Sequence, residues 1–280
     1  MIYITNRPVM IIDFHTHIFP DKIAGKTISA LAANSGAKPF TEGTAESLVN
    51  SMANAGADIS VNLPVLTKPT QFDSVLDFAT EINAKYIDLP QKIISFAGMH
   101  PDSDDVDGKM KRIKAAGIKG IKIHPDFQET FIDDERYYAI FKAAKDNDLI
   151  VVTHAGVDDG YVGKPIRCPP ERVKKLLNRI NYDKIVLAHY GGHKQWQKVL
   201  ELLVDYNVYF DTAYTFYGID ENLFKKILYA HGADKILFAT DSPWGDIKAD
   251  KETFSGFNLP RDIQDLILYK NAAKILDLKV

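Results

Sequence analysis

A histidine-rich stretch near the start of the chain has the residue types of a metal site. The segment MIIDFHTHIFP, residues 10–20, places Asp13, His15 and His17 at alternate positions of an apolar run. Successive side chains of a β-strand point to opposite faces, so this alternation predicts that the three ionisable side chains share one face. Neutral imidazoles and a carboxylate that converge on one point are the ligands of a zinc-like divalent cation.

Other residues that could bind a metal ion or a substrate stand at the ends of later apolar runs. These residues are His100, Lys122, His124, His154, His189 and Asp241. Lys122 and His124 alternate with isoleucines, which indicates that both face the same side of a strand. The same argument predicts three more inward-pointing side chains, each with an apolar residue two positions earlier: His154 with Val152, His189 with Leu187 and Asp241 with Ala239.

Eight short apolar runs, rich in isoleucine and valine, are the predicted strands that would position these residues. They are mostly apolar on both faces, as parallel strands buried on both sides are. Amphipathic stretches separate them; Tyr137, Ile140, Phe141 and Ala144, for example, follow the spacing of one helix face. The predicted strands are MIIDFHTH from Met10, DISVNLPV from Asp58, KIISFAGMHP from Lys92, KGIKIHP from Lys119, LIVVTHAG from Leu149, KIVLAHYGG from Lys184, NVYFDTA from Asn207 and KILFATDSPW from Lys235.

This alternation of strands and helices predicts a parallel α/β architecture. Eight units in about 250 residues match an eight-stranded parallel (β/α)8 TIM barrel, a single domain over residues 10–280. A doubly wound sheet is the alternative, but the first run lacks the glycine-rich phosphate loop of that fold. Active sites of barrels lie at the C-terminal ends of the strands, so the ionisable residues would meet at one rim. Residues 1–9 form an N-terminal extension to which no role is assigned.

The composition excludes several classes of partner. The chain has 280 residues, of which 46% are hydrophobic and 25% charged, and its formal net charge is −3. This balance gives no reason to expect nucleic acid or an anionic membrane as a partner. No apolar run approaches the roughly 20 residues that cross a bilayer. The lone cysteine, Cys168, cannot form an internal disulfide, which favours a reducing cytoplasm. The expected partner is a small-molecule substrate, and a homo-oligomer is compatible with the sequence.

Four motifs at the predicted strand ends form an ordered set: DFHTH at strand one, THAG at strand five, LAHYGG at strand six and FATDSPW at strand eight. Together with the closing NAAKIL from Asn271, they resemble the amidohydrolase superfamily, specifically its amidohydrolase family 2 branch. That branch includes aminocarboxymuconate semialdehyde decarboxylase, related aromatic-acid decarboxylases and hydrolases of lactones. The resemblance covers residues 10–280 and is far more specific than the His-x-His pair alone.

The resemblance implies a metal site and its ligands. His15, His17, His154 and Asp241 would bind one divalent ion, for which zinc is the expected metal. His189 matches a position that is a ligand in two-metal members and a catalytic histidine in one-metal members; the second role is preferred here. The segment IKIHP resembles the strand-four segment of dihydroorotases, so two ions bridged by a carboxylated Lys122 are the alternative.

The predicted activity is hydrolysis of a small carboxylated, cyclic or aromatic-derived substrate such as a lactone, amide or ester. The cation would activate water, Asp241 would take its proton, and His189 would polarise the scissile carbonyl. The same ligand set also serves a non-oxidative carboxy-lyase that decarboxylates an aromatic or muconate-type acid. A non-catalytic metal-binding barrel is a further alternative.

Five residues near the predicted rim are candidates for substrate contact. Lys122 could bind a substrate carboxylate or, as the alternative, pair with Asp13 or Asp241 inside the barrel. His124 and His100 each precede a proline at the start of a rim loop, where a purely structural role is equally compatible. Arg167 could clamp a carboxylate, and Trp244 could wall the pocket. Further aromatic walls would come from Phe19, Tyr161 and Tyr214, whereas no role is assigned to His193, His231 or Cys168.

Overall fold

The computed structural model describes residues 10–279, so the N-terminal extension 1–9 lies outside the described residues. All eight predicted strands form, and each is shorter than its apolar run. The third is interrupted at Phe96, which gives nine strand segments in the described part of the chain. They are β1 (Ile12–Thr16), β2 (Ile59–Asn62), β3 (Lys92–Ser95), β4 (Ala97–Gly98), β5 (Gly120–Ile123), β6 (Ile150–Thr153), β7 (Ile185–Leu187), β8 (Tyr209–Asp211) and β9 (Ile236–Leu237).

The strands are all parallel and follow chain order around the fold. One sheet has the order β1-β2-β3 and the other runs from β4 to β9. The two sheets meet at Phe96, within the third predicted strand. Backbone hydrogen bonds also connect the first and last strands: Phe14 N donates to Phe238 O, and His17 N donates to Ser242 O. This confirms the predicted (β/α)8 barrel architecture.

Helices follow the strands and cover the outside of the sheet. They are α1 (Asp21–Ser35), α2 (Ala45–Ala55), α3 (Phe72–Tyr86), α4 (Val106–Ala115), α5 (Glu135–Asp146), α6 (Pro170–Leu177), α7 (Trp196–Leu202), α8 (Glu221–His231), α9 (Ile247–Gly256), α10 (Arg261–Asp265) and α11 (Asn271–Ile275). A π-helical turn, Leu266–Lys270, joins the last two, and 3-10 turns occupy Pro69–Gln71, Asp159–Tyr161 and Ala233–Lys235. Among the described residues, no helix is both long and apolar enough to span a membrane.

Two apolar clusters separate the inside of the barrel from its helical layer. The inner cluster contains Ile12, Phe14, Val61, Phe96 and Val152, and residues of α11 also belong to it. The outer cluster packs the other face of the strands against the helices, with the four predicted residues of α5 among its members. Burial of both strand faces explains why the strands are apolar throughout, since neither face meets water.

The first strand is not regular, and this changes the predicted face of Asp13. Ile12 and Phe14 belong to the inner cluster, so Asp13 points to the opposite face, where Thr240 donates to it from both N (3.0 Å) and Oγ1 (2.6 Å). The pairing with β2 shifts by one residue between Asp13 and Thr16, as in a β-bulge. The prediction that Asp13 shares a face with His15 and His17 is therefore wrong, because the bulge re-aims the strand between them.

Candidate active site

Three donor atoms, one from β1 and two from the segments that follow β1 and β9, form a compact group, here called the three-donor group. His15 Nε2 lies 3.2 Å from His17 Nε2, and Asp241 Oδ1 lies 3.1 Å from His17 Nε2 and 3.3 Å from His15 Nε2. Burial lowers the pKa of His15 well below its usual value, which favours a neutral ring. Burial opposes ionisation of Asp241, but its contacts with His17 and the other nearby rings outweigh this effect and hold the pKa of Asp241 below its usual range.

Unusual backbone conformations place two of the predicted catalytic side chains in the cavity. Asp241 and His189 have φ values of +67° and +58°, in the left-handed region that residues other than glycine seldom adopt. Hydrogen bonds from the two backbone amides stabilise these strained conformations. Asp241 N donates to His15 O at 2.8 Å, and His189 N donates to Asp211 Oδ1 at 2.9 Å. The side chain of His189 therefore points to the opposite face from that of Leu187, which packs in the outer cluster. The expected inward direction is correct, but strand alternation is not its cause.

The hydrogen bonds behind the two first-strand histidines fix which nitrogen is free. His15 Nδ1 lies 2.9 Å from Asp211 Oδ2, and His17 Nδ1 lies 2.9 Å from the carbonyl oxygen of Leu63. Each Nδ1 faces an acceptor and carries the proton of the neutral ring, so each Nε2 presents a lone pair to the cavity. Two lone pairs and a carboxylate oxygen then face one another without a proton to share. This donor set fits a divalent metal ion.

His154, the fourth predicted ligand, lies beside His189 and is not part of the three-donor group. Its Nδ1 is 3.0 Å from His189 Nε2. His189 Nδ1 donates to the carbonyl oxygen of Ala213 at 2.9 Å, which leaves the lone pair on Nε2. The contact between the two rings requires a proton, which His154 Nδ1 donates when His189 Nε2 carries the lone pair, and His154 Nε2 has no hydrogen-bond partner among the described residues. With its proton on Nε2 instead, His154 would offer Nδ1 beside His189 Nε2, as the two-ion alternative requires.

Lys122 reaches the same part of the cavity from the end of β5. Its side chain is buried, and Nζ lies 3.0 Å from His15 Nε2. Burial lowers the pKa of Lys122 to about 8, although the charges of Asp211 and Asp241 act in the opposite direction. The amino group is thus still mostly protonated near pH 7, with a larger neutral fraction than an exposed lysine has. It contacts the three-donor group at His15 and is not paired with Asp13, whose carboxylate binds Thr240.

A second buried histidine–aspartate cluster lies next to His154. The ring of His124 stacks between those of Phe127 and His154, with centroid distances of 4.0 and 4.2 Å. Phe127 N donates to His124 Nδ1 at 3.4 Å, so His124 Nε2 carries the proton and lies 3.3 Å from Asp158 Oδ2. Burial raises the pKa of Asp158 to about 7. Asp158 can therefore hold a proton near neutral pH.

The three-donor group and the second histidine–aspartate cluster both line a cavity of about 830 Å³. Trp244, Phe19 and Tyr214 line it as predicted, together with Lys122 and His124. Three predicted contacts, His100, Arg167 and Tyr161, are absent from the described lining of this cavity. His100 Nδ1 instead accepts a hydrogen bond from Asp102 N in its own loop, and Arg167 N donates to Asp126 Oδ1 at 3.2 Å. Their proposed contacts with substrate stay predictions that this geometry does not support.

A family model described as Amidohydrolase matches residues 12–278, nearly the whole chain. The chain belongs to this amidohydrolase family. The match confirms the predicted resemblance, and it includes every residue of the three-donor group. No curated protein sequence matches the chain significantly.

Solved structures of low sequence identity share the fold. An uncharacterized TIM-barrel protein from Bordetella bronchiseptica is 19% identical, with 96% of this chain and 99% of that chain covered and a TM-score of 0.74. The 5-carboxyvanillate decarboxylase of Novosphingobium aromaticivorans, complexed with manganese and 4-hydroxy-3-methoxy-5-nitrobenzoic acid, is 14% identical, with 97% of each chain covered and a TM-score of 0.68. An Acinetobacter baumannii protein described as a probable 2-pyrone-4,6-dicarboxylic acid hydrolase is 16% identical, with 96% and 99% covered and a TM-score of 0.61.

Three residues of the site are absent from the sequence-based predictions. Asp211 supports His15, Asp158 pairs with His124, and His193 lines the cavity beside His189. Asp211 could have been found, because it interrupts the apolar run NVYFDTA near its end, where the other site residues also lie. Asp158 and His193 stand in loops, and their placement depends on tertiary contacts that strand alternation does not describe.

Replacing Asp211 with asparagine is expected to weaken metal binding about 10- to 100-fold, the range typical of residues that support metal ligands. One carboxylate oxygen accepts from His15 Nδ1, and the other accepts from His189 N and Ala213 N. An asparagine amide group would present N–H to one of these donors and disturb the ring of His15. Competition with a chelator measures the affinity. The matched control is D102N at an exposed carboxylate, and equal affinities of D211N and D102N would contradict the role of Asp211.

Proposed function

We propose that this chain is a metal-dependent hydrolase of a small carboxylated substrate, cyclic or aromatic-derived, with zinc as the expected metal. The observation that carries the proposal is the position of Asp241. Its carboxylate lies within 3.3 Å of Nε2 of both His15 and His17 and lines the cavity, and its lowered pKa favours the ionised form. A carboxylate at this position can accept a proton from a water molecule held at the three-donor group and pass it to a leaving group.

The metal ion and the side chains have separate tasks in this proposal. A divalent cation bound by His15, His17 and Asp241 would act as a Lewis acid and lower the pKa of water. Asp241 receives the proton, and Lys122 offers a positive charge, or a neutral amine, 3.0 Å from His15. His189 presents a lone pair at Nε2 when its ring is neutral, which suits a metal ligand or a proton acceptor better than a donor to a carbonyl oxygen.

Charge supports a carboxylated substrate. Lys122 is buried beside a group that fits a cation, and buried positive charge is costly unless a ligand supplies a negative partner. A substrate carboxylate would meet this need directly. In the two-ion alternative the negative charge would come from the protein, because a carboxylated Lys122 would itself be negative and would bridge the ions. The lowered pKa of Lys122 is compatible with both, since the neutral amine is the form that reacts with carbon dioxide.

A carboxy-lyase is the second candidate. Asp158 lines the cavity beside His124 and can hold a proton near neutral pH, as protonation of a ring carbon would require. The structural similarity to proteins named as decarboxylases shows the common fold and gives this candidate no further weight.

A paired substrate panel separates the candidates. We expect the zinc-loaded chain to open carboxylated lactones, measured as proton release, and not to decarboxylate aromatic acids such as 2,6-dihydroxybenzoate, measured as the absence of carbon dioxide release. D241N is the matched inactive control. Decarboxylation without lactone opening would favour the carboxy-lyase. No turnover of either class, by a chain that retains its metal, would favour the non-catalytic barrel.

A further inference from the structure

Helix α1 forms one wall of the cavity and packs only lightly on the rest of the chain. Of its 15 residues, only Ala24 and Ile28 are buried. A Cβ at Gly43 would lie 2.7 Å from Ile28 Cδ1, so Ile28 packs closely on the loop before α2. Near the other end of the helix, Asn34 Nδ2 donates to the carbonyl oxygen of Gly160 at 2.8 Å. The helix therefore bridges from the end of β1 to the turn that follows β6.

One stripe of α1 faces the cavity. Ile23, Thr27 and Leu31 line the cavity at intervals of four residues, which is the spacing of one helix face. Ile23 is 44% exposed and Leu31 is half-buried, and neither belongs to the two apolar clusters of the described chain. These two large apolar side chains therefore lie outside the core and border the cavity.

A matching stripe comes from α3. Val75 and Phe78, three residues apart, line the same cavity from the helix that follows β2. Both side chains are half-buried, and each also packs against the outer cluster. The four side chains Ile23, Leu31, Val75 and Phe78 are here called the apolar arm of the cavity.

The apolar arm belongs to the same cavity as the three-donor group. Helix α1 begins at Asp21, four residues after His17, and the segment that leads to α3 leaves β2 at Leu63, whose carbonyl oxygen accepts from His17 Nδ1. Phe19 and Val65 line the cavity within these two connecting segments. A substrate bound at the three-donor group can therefore extend toward the apolar arm without leaving the cavity.

The cavity is larger than a ring acid alone requires. A cavity of about 150 Å³ holds benzene, whereas this cavity has about 830 Å³. Apolar side chains that border it gain free energy when an apolar group of a ligand removes them from water. We propose that the carboxylated substrate carries an alkyl chain of several carbons, and that the apolar arm binds this chain. This inference rests on the proposed function for the carboxylate of the substrate.

The test compares the binding of 4-methyl-, 4-butyl- and 4-hexylbenzoate to the zinc-loaded chain by calorimetry. Full burial of one methylene group raises affinity about fourfold, and half-burial about twofold. Five methylene groups separate the first acid from the last, so we expect 4-hexylbenzoate to bind at least about thirtyfold more tightly than 4-methylbenzoate.

The variant L31D should reduce this ratio to about fivefold or less, because an alkyl chain that covers the new carboxylate would remove it from water without a partner. Leu31 lies outside both apolar clusters, so the fold should tolerate the change. I23D makes a similar change elsewhere in the apolar arm and decides the question if L31D does not fold. L89D is the matched control, since it makes the same change at an exposed leucine outside the described cavity lining.

Two results would overturn the proposal. One is equal binding of the three acids by the wild-type chain, or binding of none of them. The other is a preference for the hexyl acid that persists unchanged in L31D and I23D. The ratio compares acids that share one carboxylate, and it is measured without turnover. A chain that shows the preference but opens no lactone would therefore contradict the proposed reaction and leave this inference standing.

Discussion

Replacing Asp241 with asparagine is expected to lower kcat/KM by about a thousandfold or more, at the upper end of what a general acid–base group contributes. The substitution keeps the size of the side chain and removes its ability to take a proton. Asp241 lies beside His15 and His17, and its backbone is anchored to β1 by the hydrogen bond from its N to His15 O. The fold should therefore survive, since that anchor does not involve the carboxylate.

Steady-state kinetics on a hydrolysed substrate measures this effect, together with elemental analysis and a thermal unfolding curve. D102N serves as the control, because it makes the same chemical change at an exposed carboxylate of a rim loop. If D241N retains its metal and its midpoint of unfolding, the loss reports on proton transfer. Activity within tenfold of the wild type would remove Asp241 from the mechanism.

Replacing His17 with alanine is expected to release the metal and with it essentially all activity. The ring of His17 offers its free Nε2 to the three-donor group, and its Nδ1 is bound to the carbonyl oxygen of Leu63. Loss of one of three close donors removes a direct metal–ligand bond, a larger effect than loss of a supporting residue. Purified wild-type protein should hold a divalent ion after dialysis, whereas H17A should hold less than a tenth of that amount.

The number of ions in the same measurement separates the one-ion from the two-ion arrangement. One ion per chain, with H100A as the matched control that keeps it, would support the preferred subtype. Two ions per chain, reduced in the variant Lys122→Met, would support the two-ion alternative, in which His154 and His189 would hold the second ion. Full metal content in H17A would contradict the site itself.

The sequence by itself determined the architecture and most of the chemistry. Eight apolar runs identified all eight strands, because strands buried on both faces must be apolar along their length. The position of His15, Lys122, His154 and Asp241 near the ends of these runs then placed them at one rim, since parallel strands of a barrel end on the same side. The motifs around the histidines were specific enough to predict the family that the match over residues 12–278 confirms.

Only the tertiary structure decided which side chains meet, and the reason is that local backbone geometry overrides strand alternation. The bulge in β1 leaves Asp13 on the outer face, and the left-handed backbone at His189 turns that ring inward although Leu187, two residues earlier, packs in the outer cluster. Pairing across the barrel placed Asp211 behind His15, and the two residues are 196 positions apart. Loop contacts fixed His193 and Asp158 in the same way. Such contacts join residues that are far apart in the sequence, so the residue pattern of a single segment cannot predict them.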